Sequence, residues 1–189
     1  MGRLVRNLLD LSRIEGGALK PEFEPCDLED LVSQVVRRAK QTTAKAIEVE
    51  IEPSTAPVLV DQIYLGQILA NLIENAVRHG GNLIRVGGKN LPNGMVEIAV
   101  EDNGAGVPDA ALPRLFEKFY QAGPGGVDKR RGMGIGMTVV AGLTHAMEGE
   151  VEACRGELGG LRVAVHVRAA ALPAEPPPAP DSAPDSETP

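Results

Sequence analysis

Apolar residues recur along this chain with two different periods, and the alternation between them lays out its elements. Residues 1–15 place Leu4, Leu8 and Leu11 at i, i+4, i+7, widened by Val5 and Ile14 and closed at Gly16-Gly17. The spacing predicts the end of an amphipathic helix. A helix this short needs an apolar partner; its own domain and a longer helical hairpin or dimer bundle both fit. After a linker bounded by Pro21 and Pro25, Asp27 N-caps a second predicted helix carrying Leu28, Leu31, Val32, Val35 and Val36, ending near Thr42. Ile47, Val49 and Ile51 then alternate with Glu48, Glu50 and Glu52, the pattern of a half-buried strand, and a short apolar run covers residues 58–60. Asp61 is a second N-cap, before Leu65, Ile68, Leu69, Leu72, Ile73, Ala76 and Val77 at helical spacing over three turns. Strands around residues 82–86 and 95–101 read as a hairpin joined through Gly87-Gly88 and the Pro92-Asn93-Gly94 turn. A loop-rich stretch, 102–136, leads to a helix over 137–147 and two strands, 151–154 and 161–167.

Composition narrows the class. With 189 residues, 43% apolar and 24% charged, the chain holds one compact domain with short appendages. Aromatics are only 3% and Trp is absent, so the core is expected from Leu, Val, Ile and Ala. Net charge is −7, which offers no basic face for nucleic acid. No apolar run approaches the ~20 residues that cross a bilayer, so no membrane contact is expected. Cys26 and Cys154 form no C-x-x-C pattern and accompany no signal peptide, giving the expectation of reduced thiols in the cytoplasm. Residues 171–189 are Pro-, Ala- and acid-rich, a composition expected to stay disordered.

Three clusters carry candidate chemistry. Asn71, Glu74, Asn75 and Arg78 share one polar sector of the third helix. Two stacked carboxamides can ligate a hard cation that also holds phosphate, and Arg78 can pair with the same phosphates; an ordinary solvated helix face presents the same residues. Asp102-Asn103-Gly104-Ala105-Gly106 follows a strand directly. An acid at a strand end can accept from an exocyclic amine while Gly104 and Gly106 let the backbone approach a planar ring, although a plain turn has this composition too. Gly132-Met133-Gly134-Ile135-Gly136 opens a helix, where free N–H groups favour phosphate, and Lys129-Arg130-Arg131 adds positive charge at the same mouth. Neither the dinucleotide-binding G-x-G-x-x-G nor the Walker motif is present.

Taken in order, these motifs resemble the ATP-binding catalytic domain of bacterial sensor histidine kinases, within the group that includes DNA gyrase, heat-shock protein 90 and MutL. Residues 71–76 resemble the asparagine box, 102–106 the first glycine box, 115–120 the phenylalanine box and 132–136 the second glycine box, while 3–15 resembles the end of a dimerisation and phosphoacceptor hairpin. The resemblance implies an α/β two-layer sandwich, with a mixed sheet covered on one face by helices, and a mobile ATP lid between Tyr120 and Gly132. It implies ATP and Mg²⁺ as cofactors, and a division into hairpin end (1–20), catalytic domain (21–170) and tail (171–189). By residue it implies Asn75 as metal ligand, Asn71 and Arg78 on the phosphates, Asp102 on adenine, and Gly104, Gly106, Gly132, Gly134 and Gly136 along the nucleotide. His79 stands where the family often has an aromatic or His beside the base, and a structural histidine fits that position equally. Phe116 and Phe119 are expected to anchor one end of the lid in apolar contacts.

Departures from the family pattern qualify the expectation. Gln121 replaces a basic residue near the γ-phosphate, for which Lys118 or the 129–131 run would substitute. Asn71 stands where the related ATPases carry a water-activating glutamate, so hydrolysis is expected to be slow. His79, His145 and His166 are the only histidines and none has the phosphoacceptor setting. The chain is therefore expected not to autophosphorylate alone, its partners being a His-bearing hairpin, cut away or on a separate subunit, and a response regulator. A non-catalytic nucleotide-sensing or scaffolding module and a gyrase-type ATPase are the alternatives. The opening helix resembles those of potassium-sensing kinases.

Overall fold

The computed structural model describes residues 2–121 and 134–170. Lys129, Arg130, Arg131, Gly132, most of the expected lid and the 171–189 tail lie outside the described residues. Four α-helices, α1 (Gly2–Glu15), α2 (Leu28–Lys40), α3 (Gln62–His79) and α4 (Gly136–Ala146), accompany seven strands: β1 (Glu24–Cys26), β2 (Ala46–Ile51), β3 (Val58–Val60), β4 (Leu83–Asn90), β5 (Met95–Asp102), β6 (Glu150–Arg155) and β7 (Leu161–Arg168). Five strands form one mixed sheet in the order β2-β4-β5-β7-β6, and β1 pairs with β3 in a two-stranded ribbon. Only β2 and β4 run parallel, and such a pair needs a crossover; the segment containing α3 supplies it. The expected sandwich is thus present, with α2, α3 and α4 over one sheet face.

Both predicted N-caps form. Asp27 accepts from the Asp30 amide, and Asp61 Oδ1 from those of Ile63 (2.9 Å) and Tyr64 (3.0 Å); such a cap is worth about 1 kcal/mol. Asp61 Oδ2 also accepts from Glu22 N, tying the linker to α3. The α3 stripe turns inward, with Leu65, Ile68, Leu69, Leu72, Ile73 and Ala76 all buried against Ile84, Val86, Ile98, Val100, Val139 and Leu143. Roughly 1.5–3 kcal/mol per fully buried Leu or Ile makes this interface the main source of cohesion.

The opposite sheet face is a charged lattice. Glu97 faces Lys89 on β4 and His166 on β7 in register, with Nζ at 3.3 Å, His166 Nε2 at 3.3 Å and Arg162 Nη2 at 2.5 Å. Burial alone would raise the Glu97 pKa, but Arg162, with Lys89 and His166, holds it below its ordinary value.

Several expectations are corrected. Strand β4 runs through Gly87-Gly88 to Asn90, so the glycines lie in the ladder; a Cβ on Gly88 would stand 2.7 Å from Leu28 Cδ2, which would have to move aside. The Pro-bounded linker contains β1, whose pairing depends on the distant β3. Phe119 is 62% exposed at φ 61°, outside any apolar anchor, whereas Phe116 does pack on the core. Of the two partners open to the first helix, its own domain supplies contacts: Ile14 lies against Gly142 of α4, Asp10 bonds Gln67 of α3, and Leu11 is buried. Leu8 stays exposed, so only part of the stripe is covered.

Candidate functional site

The sequence brings Asp102 to the end of β5 and leaves it 5% exposed. A buried carboxyl group needs hydrogen bonds or a partner charge. Its Oδ1 accepts from Gly104 N at 2.7 Å; its other oxygen has no protein partner among the described residues. Glycines crowd around it. A Cβ on Gly80 would lie 2.6 Å from Asp102 Cβ and Cγ, one on Gly104 2.8 Å from Oδ1, and one on Gly160 2.3 Å from both the carbonyl oxygen and Oδ1. Gly160 also donates its N–H to the Asp102 carbonyl at 3.1 Å. Backbone from three loops thus closes on this acid, and no side chain larger than hydrogen fits between them.

In front of Asp102 lies a shallow, open depression lined by Leu72, Asn75, Ala76, Val100, Asp102, Leu161 and Val163. Two apolar walls, one polar rim residue and one buried acceptor suit a flat heteroaromatic ring bearing an amine. Asn75 forms that rim from α3. One turn earlier the Asn71 Nδ2 is buried without a hydrogen-bond partner among the described residues, and such an orphan donor costs about 1–3 kcal/mol unless a ligand or water meets it.

The remaining sequence candidates fall around this pocket or away from it. Arg78 is exposed and bonds Glu74 one turn back at 2.9 Å. His79 is exposed on the last turn of α3. Gly106 and Gly134 both take positive φ, at 69°, as a non-glycine residue rarely does. Gly134 accepts from Phe119 N through its carbonyl, which joins the phenylalanine segment to the entry of α4. Gly136 is the first residue of α4, whose N-terminus has no side-chain cap, leaving its first N–H groups available. Lys118 points elsewhere: its ammonium pairs with Glu15 of α1. His145 is exposed on α4, and His166 belongs to the lattice on the far face. Gly80, Gly81 and Gly160 had no place in the sequence argument, and Asn103 entered it only as a member of the 102–106 run. The Gly-Gly pairs at 80–81 and 159–160 were the available signal.

The donor set fits Mg-ATP on structural grounds: an orphan amide beside a second carboxamide, an amine-seeking carboxylate in an apolar slot, and an uncapped helix N-terminus. The comparisons with known proteins agree. The family model described as "Histidine kinase-, DNA gyrase B-, and HSP90-like ATPase" matches residues 60–171, and the chain belongs to that family. Within it, the chain is an ATP-binding catalytic domain of the sensor histidine kinase type. The signal transduction histidine-protein kinase AfsQ2 of Streptomyces coelicolor is 33% identical over 98% of this chain and 33% of its own length. Sensor protein KdpD of Mycobacterium tuberculosis is 35% identical over 88% of this chain and 20% of its own. These two identities lie too close together to single out the potassium-sensing branch. The chain therefore spans a third or less of these curated relatives. Among solved structures, full-length ShkA in complex with AMPPNP aligns at a TM-score of 0.76 and 29% identity, covering 90% of this chain and 36% of that one. The ATP-binding domain of PrrB from Mycobacterium tuberculosis aligns at 0.63 and 26%, covering 79% and 98%.

Proposed function

We propose that the pocket between α3 and the β5–β7 region binds Mg-ATP and that the chain donates the γ-phosphoryl group to a histidine on a hairpin domain, from which it passes to an aspartate of a response regulator. The buried Asp102, with one oxygen fixed by Gly104 and its side chain lining a pocket otherwise mostly of apolar residues, is the observation that carries this reading. Asp102 accepts from the adenine amine, and Leu72, Ala76, Val100, Leu161 and Val163 exclude water from the ring. Asn75 holds the metal, Asn71 supplies its unpartnered amide to the phosphate side, and Arg78 exchanges Glu74 for phosphate. Gly104 and Gly106 shape the backbone beside the base. Gly134 and Gly136 present backbone N–H groups at the α4 entry, and the family resemblance assigns Gly132 to the same nucleotide, with the cations Lys129, Arg130 and Arg131 for its phosphates. His79 borders the base from the end of α3. Bound magnesium supplies charge neutralisation between phosphate oxygens. No carboxylate on α3 replaces the amide of Asn71, so water is poorly activated and transfer to a positioned acceptor is favoured over hydrolysis.

Residues 1–20 are proposed as the end of the phosphoacceptor hairpin and 21–170 as the catalytic domain. A second reading, a nucleotide-sensing module without transfer, draws on Lys118 and Arg78 both being held in ion pairs. Mixing the chain with a His-bearing hairpin and γ-labelled ATP decides between them. Acid-labile label on the hairpin is expected; tight nucleotide binding without label assigns the sensing module. Sustained phosphate release by the chain alone identifies a gyrase-type ATPase.

A further inference from the structure

The C-terminal end of α3 is fastened by a side chain that takes no part in the pocket. Lys45 lies between α2 and β2, and its ammonium donates to the carbonyl oxygens of Gly80 (2.8 Å) and Ala76 (3.4 Å). The Ala76 carbonyl also accepts from Gly80 N at 2.9 Å, whereas the Gly80 carbonyl lies past the last helical bond; both sit at the negative end of the helix dipole, where a cation is favoured. The carbonyl that Lys45 grips most closely belongs to Gly80, whose missing Cβ makes room for Asp102. Gly81 stands equally close to Asn103, since a Cβ there would lie 2.2 Å from Asn103 Oδ1. Asn103 Oδ1 in turn accepts from Leu83 N (2.8 Å), and its Nδ2 donates to Asn82 Oδ1 (2.9 Å). The segment 80–83 is thus the seam between two halves of one site: the metal-side carboxamide on α3 and the base-reading acid on β5.

We infer that Lys45 is a positioning residue for base recognition. By holding the Gly80 carbonyl it keeps the 80–81 backbone pressed on Asp102 and fixes that carboxylate relative to Asn75. The inference rests on the ATP reading of the pocket. Its effect is selective, because displacing the 80–81 backbone loosens the Asp102 carboxylate before it disturbs the phosphate side.

Wild type, Lys45→Met and Lys45→Arg are compared for affinity toward Mg-ATP and Mg-ITP, the latter carrying a carbonyl where adenine has its amine. Lys45→Met should weaken Mg-ATP binding about tenfold and Mg-ITP binding much less, shrinking the preference between them, while Lys45→Arg restores it. Equal loss for both nucleotides, or no loss in a folded chain, overturns the inference. Amide exchange without nucleotide supplies a readout independent of ATP. The Leu83 and Gly104 amides should exchange faster in Lys45→Met, and unchanged rates also overturn it. If the wild type binds neither nucleotide, the ATP reading fails, while the exchange rates still decide whether Lys45 fastens the seam.

Discussion

Asp102 shows how one carboxylate is held both buried and chemically available. Its Oδ1 is saturated by Gly104 N, and that bond survives in Asp102→Asn if the amide oxygen keeps the same place. The other atom becomes an N–H donor facing the base amine, two donors without an acceptor. Asp102→Asn should therefore bind Mg-ATP at least about tenfold more weakly with little change in melting temperature, measured by calorimetry and thermal unfolding. Gly160→Ala should fail differently. Its Cβ would meet backbone and carboxylate at 2.3 Å, so stability should fall by about 2–4 kcal/mol in denaturant titrations. The acid and Gly104 were legible in the sequence because both lie in one short run. Gly80 and Gly160 were not, since their requirement arises only when three distant loops converge. Phe119 is a similar case: the family resemblance implied an anchor, yet its φ of 61° and exposure put only its backbone to use. Cys26 offers a pH test at this scale. Burial first, then Asp27, Glu24 and Asp30, push its thiol from 9.0 up to about 11. The neutral form is thus favoured in the folded state, and its stabilising contribution is complete below pH 9.0 and lost as pH rises toward 11. Cys26→Ala should flatten the alkaline limb of stability against pH.

Among the elements, α3 was the most legible, because a three-turn apolar stripe and an Asp cap agree with its tertiary role. Strand β1 was the least, since three residues without alternation become a strand only through β3. Helix α1 lies between. Its period was clear, but its partner depended on Gly142, where the absent side chain admits Ile14. A Cβ there would come within 2.6 Å of Ile14 Cδ1, so Gly142→Val should lift α1 from α4. Limited proteolysis should then cut faster around residues 16–20, and the Lys118–Glu15 pair should open with it. Unchanged cleavage would show that α1 is held by its polar contacts to Gln67 and Lys118 instead.

At the scale of the whole molecule, the sheet separates two kinds of surface. One face carries the apolar core and the pocket; the other carries the lattice centred on Glu97. The Glu97 pKa lies below its ordinary 4.5, so its charged form stabilises the fold above that value, and the contribution is lost as pH falls through the folded value. Glu97→Gln should make stability less steep on the acid side, measured by urea unfolding between neutral pH and the onset of acid denaturation. Sequence order alone carried the family resemblance, because the motifs sit on separate elements, Asn71 and Asn75 on α3 and Asp102 at the end of β5. What the folded chain adds is the pairing of Arg78 with Glu74 and of Lys118 with Glu15, two cations engaged within the protein before any phosphate arrives.

The affinity of the chain for a non-hydrolysable ATP analogue, titrated calorimetrically with and without magnesium in wild type, Asn75→Ala and Asp102→Ala, tests the shared pocket most directly. Asp102→Ala should lose about tenfold or more under both conditions, and Asn75→Ala should lose a comparable factor only when magnesium is present. Wild-type affinity in both folded variants would contradict the account.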